Sequence, residues 1–129
     1  MSRFIRRCVV GAVAAALPFL AIAAAGAQPV VDGSAKDLDP ALAGAIAQLA
    51  TRDFAAPAEA QLRGIRLSKA RNGRGYCGEV ATAAGAEFVP FHAIIEADGT
   101  TSLLRLSDAT DPADRETAIR LLTNFGCLE

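Results

Sequence analysis

The sequence predicts an α+β domain in which two helices pack on one small antiparallel sheet. Helix-start signals occur at Asp39-Pro40 and again at Asp111-Pro112. Four runs typical of strands lie between them, and two of the gaps hold Asn72-Gly73 and Asp98-Gly99, pairs that favour tight hairpin turns. This order predicts a meander of about four strands flanked by an N-terminal and a C-terminal helix.

Both predicted helices begin at an Asp-Pro pair. The aspartate accepts hydrogen bonds from free amides of the first turn, and proline loses nothing at the first helical position because its nitrogen carries no proton. The first helix is expected to run to about Phe54, and the second to stop at Gly126. Apolar residues follow at helical spacing: Leu42, Ile46, Leu49 and Ala50, then Ala118, Ile119, Leu122 and Phe125.

The strand predictions rest on alternating side chains and on the flanking turns. The expected strands are residues 61–70, 74–82, 87–96 and 102–106. The third is apolar on both faces, as a central strand covered on both sides would be, and Pro90 limits pairing near its start.

In the second predicted strand, alternation places Cys77 and Glu79 on one face, under the final helix. A carboxylate there needs an arginine or backbone donors, so we expect Glu79 to form an internal ion pair.

Residues 1–27 are typical of a cleavable signal peptide. Arginines precede an uncharged, alanine-rich segment at 8–25, and an Ala-Gly-Ala cleavage site ends at Ala27. An uncleaved membrane anchor is the alternative, but the alanine content and the cleavage site disfavour it. We expect 28–38 to be a flexible lead and 39–129 to form a single α+β domain, with no transmembrane segment after cleavage.

Export predicts a disulfide bond between Cys77 and Cys127. These are the two cysteines that remain after cleavage, and disulfides persist outside the cytoplasm. Localisation is therefore expected to be periplasmic or secreted, in a bacterium.

The signal removes three of the 13 basic residues and none of the 14 acidic ones, which leaves a net charge of −4. This acidic balance disfavours nucleic acid as a partner.

Catalytic and metal-binding residue patterns are sparse. Cys77 with His92 is the sole Cys/His pairing for nucleophilic catalysis, and the disulfide would consume it, so His92 is expected to be a satisfied core or rim histidine. Zinc needs more Cys and His ligands than the chain offers. Calcium could use Asp108, Asp111 and Asp114, but helix capping explains them better. We therefore expect no metal and no cofactor.

A basic stripe is the one local anomaly of charge. Five cations lie between Glu59 and Glu79 with no acid among them: Arg63, Arg66, Lys69, Arg71 and Arg74. On an acidic protein, such a stripe could dock an anionic envelope component or an acidic protein. The alternative is a solvated hairpin edge, where charges prevent sheet-to-sheet association. A cluster of Arg63, Arg66 and Arg74 on one exposed face would favour binding.

The run Tyr76-Cys77-Gly78-Glu79-Val80, with Phe88 and Phe91 downstream and Cys127 near the end, resembles a group of short exported bacterial proteins of uncharacterised function. The resemblance covers about residues 74–127. It implies export and the disulfide, and it implies no activity. This chain has Ala81-Thr82-Ala83-Ala84-Gly85 where the group has an Asn- and Lys-containing stretch followed by Gly-Gly-Tyr, so it lacks polar side chains that could form a site.

The sequence thus favours a non-catalytic periplasmic binding or interaction module that uses its sheet or its basic hairpin. A structural or stress-protective envelope protein is one alternative, and it predicts no pocket. A small hydrolase or transferase that uses Glu79 with Glu87 or Glu96 is another, because two acids can suffice for acid–base chemistry. Shallow packing without a cleft would argue against this enzyme.

Overall fold

The structure is a computed structural model that describes residues 30–128. The predicted signal peptide, 1–27, lies outside the described residues. The elements are α1 (Pro40–Ala50), β1 (Gln61–Leu67), β2 (Gly75–Ala81), β3 (Val89–Ile95), β4 (Thr101–Arg105) and α2 (Pro112–Asn124). Within 30–128, no helix combines the length and the apolar character that crossing a membrane requires.

The four strands form one sheet in the order β1-β2-β3-β4, and every neighbouring pair is antiparallel. The α+β meander predicted from the sequence is therefore confirmed. Gly73 and Gly99 sit in the β1–β2 and β3–β4 connections with φ angles of 70° and 92°, a backbone region that glycine adopts without steric cost. This explains why Asn-Gly and Asp-Gly identified the turns.

The sheet separates two hydrophobic cores, one under each helix. Successive side chains of a strand point to opposite faces, so the alternation along β2 and β3 assigns each core to one face. The α1 core contains Ile46, Ala47, Leu49, Ala50, Ala60, Leu62, Ile65, Val80, Phe91 and Ala93. The α2 core contains Cys77, Leu106, Ala118, Leu122 and Cys127. The helices thus pack on opposite faces, as the apolar character of both sides of β3 indicated.

Both helices start at the predicted caps, but α1 ends earlier than predicted. Asp39 Oδ1 accepts from Ala41 N at 3.3 Å, and Asp111 Oδ1 accepts from Ala113 N at 2.8 Å. The first helix stops at Ala50 rather than near Phe54, because Asp53 adopts a φ of 70° that turns the chain away. Backbone carbonyl groups at this end of the helix accept hydrogen bonds from a side chain of β4, which is described below.

One residue of the predicted α2 stripe is not buried. Ala118 and Leu122 reach the core, whereas Ile119 is 41% exposed. Ile119 follows Ala118 by one position, which is a rotation of about 100° around the helix axis and places it away from the sheet. Leu121 is 40% exposed on the same helix.

The described part of the predicted lead, residues 30–38, contacts the outer edge of β1. Val30 forms a parallel bridge with Leu62, and Val31 N donates to Leu62 O at 2.8 Å. Further along, Asp32 Oδ2 accepts from Gly64 N and Ser34 Oγ accepts from Ile65 N, both at 2.8 Å. Side-chain oxygens therefore satisfy amides that would otherwise remain open on this edge. The sequence analysis did not anticipate these contacts.

Candidate functional site

The basic stripe begins at Arg63, whose charge has an intramolecular partner. Arg63 Nε lies 2.8 Å from Glu79 Oε1 across the β1–β2 pair, and the guanidinium carbon lies 3.8 Å from the centre of the Phe88 ring. The ion pair expected for Glu79 is confirmed. Its internal position was wrong, because the Arg63 and Glu79 side chains are 45% and 40% exposed. Both lie at the β1 side of the sheet, beyond the cover of α2.

Arg66 and Lys69 support the C-terminal end of α2. Arg66 Nη2 donates to Gly126 O at 2.8 Å, and the backbone N–H of Lys69 donates to Phe125 O at 2.9 Å. The Lys69 side chain passes so close to Gly126 that a Cβ there would lie 3.1 Å from Lys69 Cε. Cations near a helix C-terminus interact favourably with its dipole. The Arg66 guanidinium and the Lys69 backbone therefore hold the C-terminal end of α2 in place.

The remaining two cations lie at the tip of the first hairpin. Arg74 borders a shallow depression together with Glu96 and Asp98, and Arg71 is exposed. Arg63, Arg66 and Arg74 are all exposed, with the first two in β1 and the third at the hairpin tip. An anion-binding role for the stripe stays a prediction, and intramolecular side-chain contacts account for Arg63 and Arg66.

The predicted disulfide bond between Cys77 and Cys127 is present. It joins the middle of β2 to the residue that follows the α2 stop at Gly126, and the two Cα atoms are 5.1 Å apart. Cys77 is fully buried. The bond therefore fixes the C-terminal end of α2 to the face of the sheet opposite α1.

His92 is a buried, hydrogen-bonded histidine beside the disulfide, as expected. It pairs with Cys77 across β2 and β3, and its ring stacks on Phe125 with centroids 3.9 Å apart. Nε2 lies 2.8 Å from Ser68 Oγ. Gly75 makes room for this contact, because a Cβ at Gly75 would fall 2.5 Å from both Nε2 and Oγ. His92 is thus only 3% exposed, with Nε2 hydrogen-bonded and one face of the ring stacked on Phe125.

Burial lowers the pKa of His92 below its ordinary value of 6.5. The unfolded chain then binds a proton more readily, so stability should be complete above about pH 6.5 and decline as the pH falls toward the folded-state pKa. His92 is the only histidine in the chain, so its ring proton resonance gives the folded-state pKa directly. We expect a midpoint below 6.5, and His92→Gln should remove the decline in stability just below pH 6.5. A midpoint at or above 6.5 would contradict the role of burial.

The aspartates considered for calcium have separate roles. Asp108 pairs with Arg105, Asp111 caps α2, and Asp114 lies in the first turn of α2. Within the described range, no group of three or more His, Cys, Asp or Glu side chains could hold a metal ion. The carboxylates considered for catalysis are also engaged: Glu79 by Arg63, and Glu96 by Asn72 Nδ2 at 3.3 Å. The carboxylate enzyme stays a prediction.

Arg105 is a buried cation that the sequence analysis missed. Its Nη1 donates to Ala50 O at 2.9 Å and to Arg52 O at 2.7 Å, so it caps the end of α1. Nη2 lies 3.0 Å from Asp108 Oδ1, and the guanidinium carbon lies 4.9 Å from the centre of the Phe54 ring. The residue is only 5% exposed. An arginine in the apolar run 103–106, three positions before Asp108, was the available signal.

The edge of the sheet at β4 is open in the described structure. Ile95 N–H donates to Arg74 O, toward β2. Backbone groups alternate between the two sides of a strand, so Ile94 faces β4 and bonds its partner Ser102. By this alternation Thr101, Leu103 and Arg105 direct their N–H and C=O groups outward, but Arg105 is buried, so the accessible outward groups are those of Thr101 and Leu103. No other strand within 30–128 pairs with this side of β4.

An apolar groove of about 250 Å³ lies beside this open edge, between β4 and α2. Leu104, Ala118 and Leu121 line the groove. Leu121 is 40% exposed because its side chain faces this open groove. Asp114 borders the groove, and no contact of its carboxylate within 30–128 neutralises it. The groove and the open edge together form one surface, which we call the β4 site.

A scan against protein-family models, a search of curated proteins and a search of solved structures each found no match to this chain.

Proposed function

We propose that this chain is an exported, non-catalytic binding module of the periplasm or the secreted fraction, and that it binds an extended polypeptide at the β4 site. The observation that carries this proposal is the open edge of β4 beside an apolar groove. Outward backbone N–H and C=O groups match those of another extended chain, which can add as a further strand. The disulfide bond supports the location, because such bonds persist in oxidising compartments.

The contrast between the two edges supports a binding role for β4. The β1 edge carries Arg63 and Arg66, has an irregular register between them, and is covered by residues 30–34. These are devices by which proteins prevent unwanted strand pairing. The β4 edge has a regular register, and its one charged side chain, Arg105, is turned into the fold. An edge kept open beside an apolar groove is suited to a partner strand.

Thr101→Pro tests this proposal. The Thr101 amide points away from β3, so proline should leave the sheet intact while it removes an outward donor and sterically blocks an added fifth strand. We expect peptides selected by the wild-type protein from a displayed random library to bind this variant about tenfold more weakly or worse. Thr101→Ala keeps the amide and should bind as the wild type does.

Stability measurements on both variants provide the control. Unfolding curves of the two variants should match that of the wild type, which shows that a binding loss is local. Peptides that bind Thr101→Pro as tightly as they bind the wild type would remove β4 from the proposal. Failure of the library to yield any binder would count against a polypeptide partner.

A further inference from the structure

We infer that the β4 site selects an extended segment carrying an apolar side chain and, two positions away on the same face, a lysine or arginine. This inference rests on the proposed function and adds the chemical class of the bound segment. The backbone edge supplies sequence-independent affinity, and the side chains around the groove supply selectivity.

The position of the apolar side chain follows from strand geometry. A strand added antiparallel to β4 pairs with the outward groups of Thr101 and Leu103, and its own side chains alternate between the two faces of the sheet. Leu104 lies on the face that α2 covers, so an incoming residue opposite Leu104 points into the groove. Leu104, Ala118 and Leu121 present an apolar lining there. An aliphatic side chain would cover the exposed part of Leu121.

The preference for a cation follows from the charges at the end of the groove. Asp108 and Arg105 neutralise each other, with Nη2 and Oδ1 3.0 Å apart, and the Arg105 guanidinium is also held by carbonyls of the α1 end. Asp114 borders the groove and takes part in none of the ion pairs among residues 30–128. Asp111, one turn earlier, already complements the positive start of the helix. A basic side chain on the bound segment therefore gains a favourable partner in Asp114.

A second copy of this chain fits the β4 site less well than a foreign segment. The β4 sequence is Thr-Ser-Leu-Leu-Arg, and its one cation is already fully engaged inside the fold. A second β4 would therefore bring another negative Asp114 region and no free cation. Charge complementarity thus favours a basic segment of a different polypeptide.

The test uses three synthetic heptapeptides with the domain, followed by amide chemical shifts in solution. The first is Ser-Thr-Leu-Thr-Lys-Thr-Ser, which places Leu and Lys on one face. The second has Glu in place of Lys, and the third is Ser-Thr-Leu-Lys-Thr-Thr-Ser, which moves Lys to the opposite face. We expect the first to bind about three- to fivefold more tightly than the other two. The amides that shift should be those of β4 and of the groove.

Matched variants separate the apolar and the charged contributions. Leu121→Ser should weaken binding of the first peptide by about tenfold, whereas Ile119→Ser, at nearly equal exposure on the same helix, should not. Asp114→Asn should remove the preference for Lys over Glu. Glu116→Gln, a neutralisation two positions further along the same helix and outside the groove, should preserve that preference.

Each contrary outcome points to a different conclusion. Equal binding of the three peptides, with sensitivity to Thr101→Pro alone, would overturn the selectivity and leave strand addition intact. No binding, together with a dimer that Thr101→Pro dissociates, would assign the site to a second copy and overturn the inference. No binding and no self-association would overturn it as well, and the library selection would then decide the proposed function independently.

Discussion

Replacing both Cys77 and Cys127 with alanine should lower the free energy of unfolding by about 4 kcal/mol. The disulfide closes a loop with a sequence separation of 50, so it removes much of the conformational freedom of the unfolded chain. Alanine adds no bulk at either buried position, so the expected loss comes mainly from the lost cross-link. Denaturant unfolding of the variant and of the wild type measures the difference.

Reduction of the wild-type protein provides the control for this prediction. Reduced wild type and the double variant should unfold at similar denaturant concentrations, because both lack the cross-link. The stacking of His92 on Phe125 should also loosen, since the disulfide fixes the chain next to Phe125. A double variant within about 1 kcal/mol of the oxidised wild type would show that the cross-link contributes little.

Replacing Arg105 with methionine should lower the free energy of unfolding by about 2 to 4 kcal/mol, because it leaves two carbonyl groups without a donor. The change leaves the carbonyls of Ala50 and Arg52 without their donor and removes the partner of Asp108. Unbonded buried carbonyls are costly because water cannot replace the lost donor. Denaturant unfolding measures the total, and amide exchange at the end of α1 locates the damage.

Asp108→Asn is the matched control for Arg105. The Asp108 side chain is 51% exposed, so solvent screens its ion pair, and this variant should lose less than about 1 kcal/mol. Arg105→Lys should be intermediate, because an ammonium keeps the charge but cannot reach two carbonyls and a carboxylate at once. Equal losses for Asp108→Asn and Arg105→Met would show that the ion pair, rather than the two carbonyl contacts, matters most.

The sequence was sufficient for features that depend on local chemistry. Asp39 and Asp111 each cap a helix, and Gly73 and Gly99 each lie at a hairpin turn, because these residues act on their own immediate backbone. The disulfide followed from counting cysteines after the predicted cleavage. The contact of Arg105 with the carbonyls at the end of α1 could not be predicted, because Arg105 lies more than 50 positions further along the chain.

The β4 site was beyond sequence analysis for a related reason. A meander has two edge strands, and local patterns do not show which edge another segment covers. The cover of β1 depends on Asp32 and Ser34, which bond amides about 30 positions away. The basic stripe could be identified from the sequence because its five charges lie close together along the chain. Two of its residues, Arg63 and Arg66, have side-chain contacts that only the folded chain creates, with Glu79 and with Gly126 O.

The covered edge of β1 limits the valency of the molecule. Side-chain oxygens of Asp32 and Ser34 accept hydrogen bonds from amides of β1. These side chains offer no row of backbone N–H and C=O groups with which a further strand could pair. Head-to-tail stacking of copies, with β4 of one on β1 of the next, is therefore blocked at every joint. Under the proposed strand addition, pairing through β4 would therefore end after one event, and we expect one-to-one complexes rather than growth into filaments.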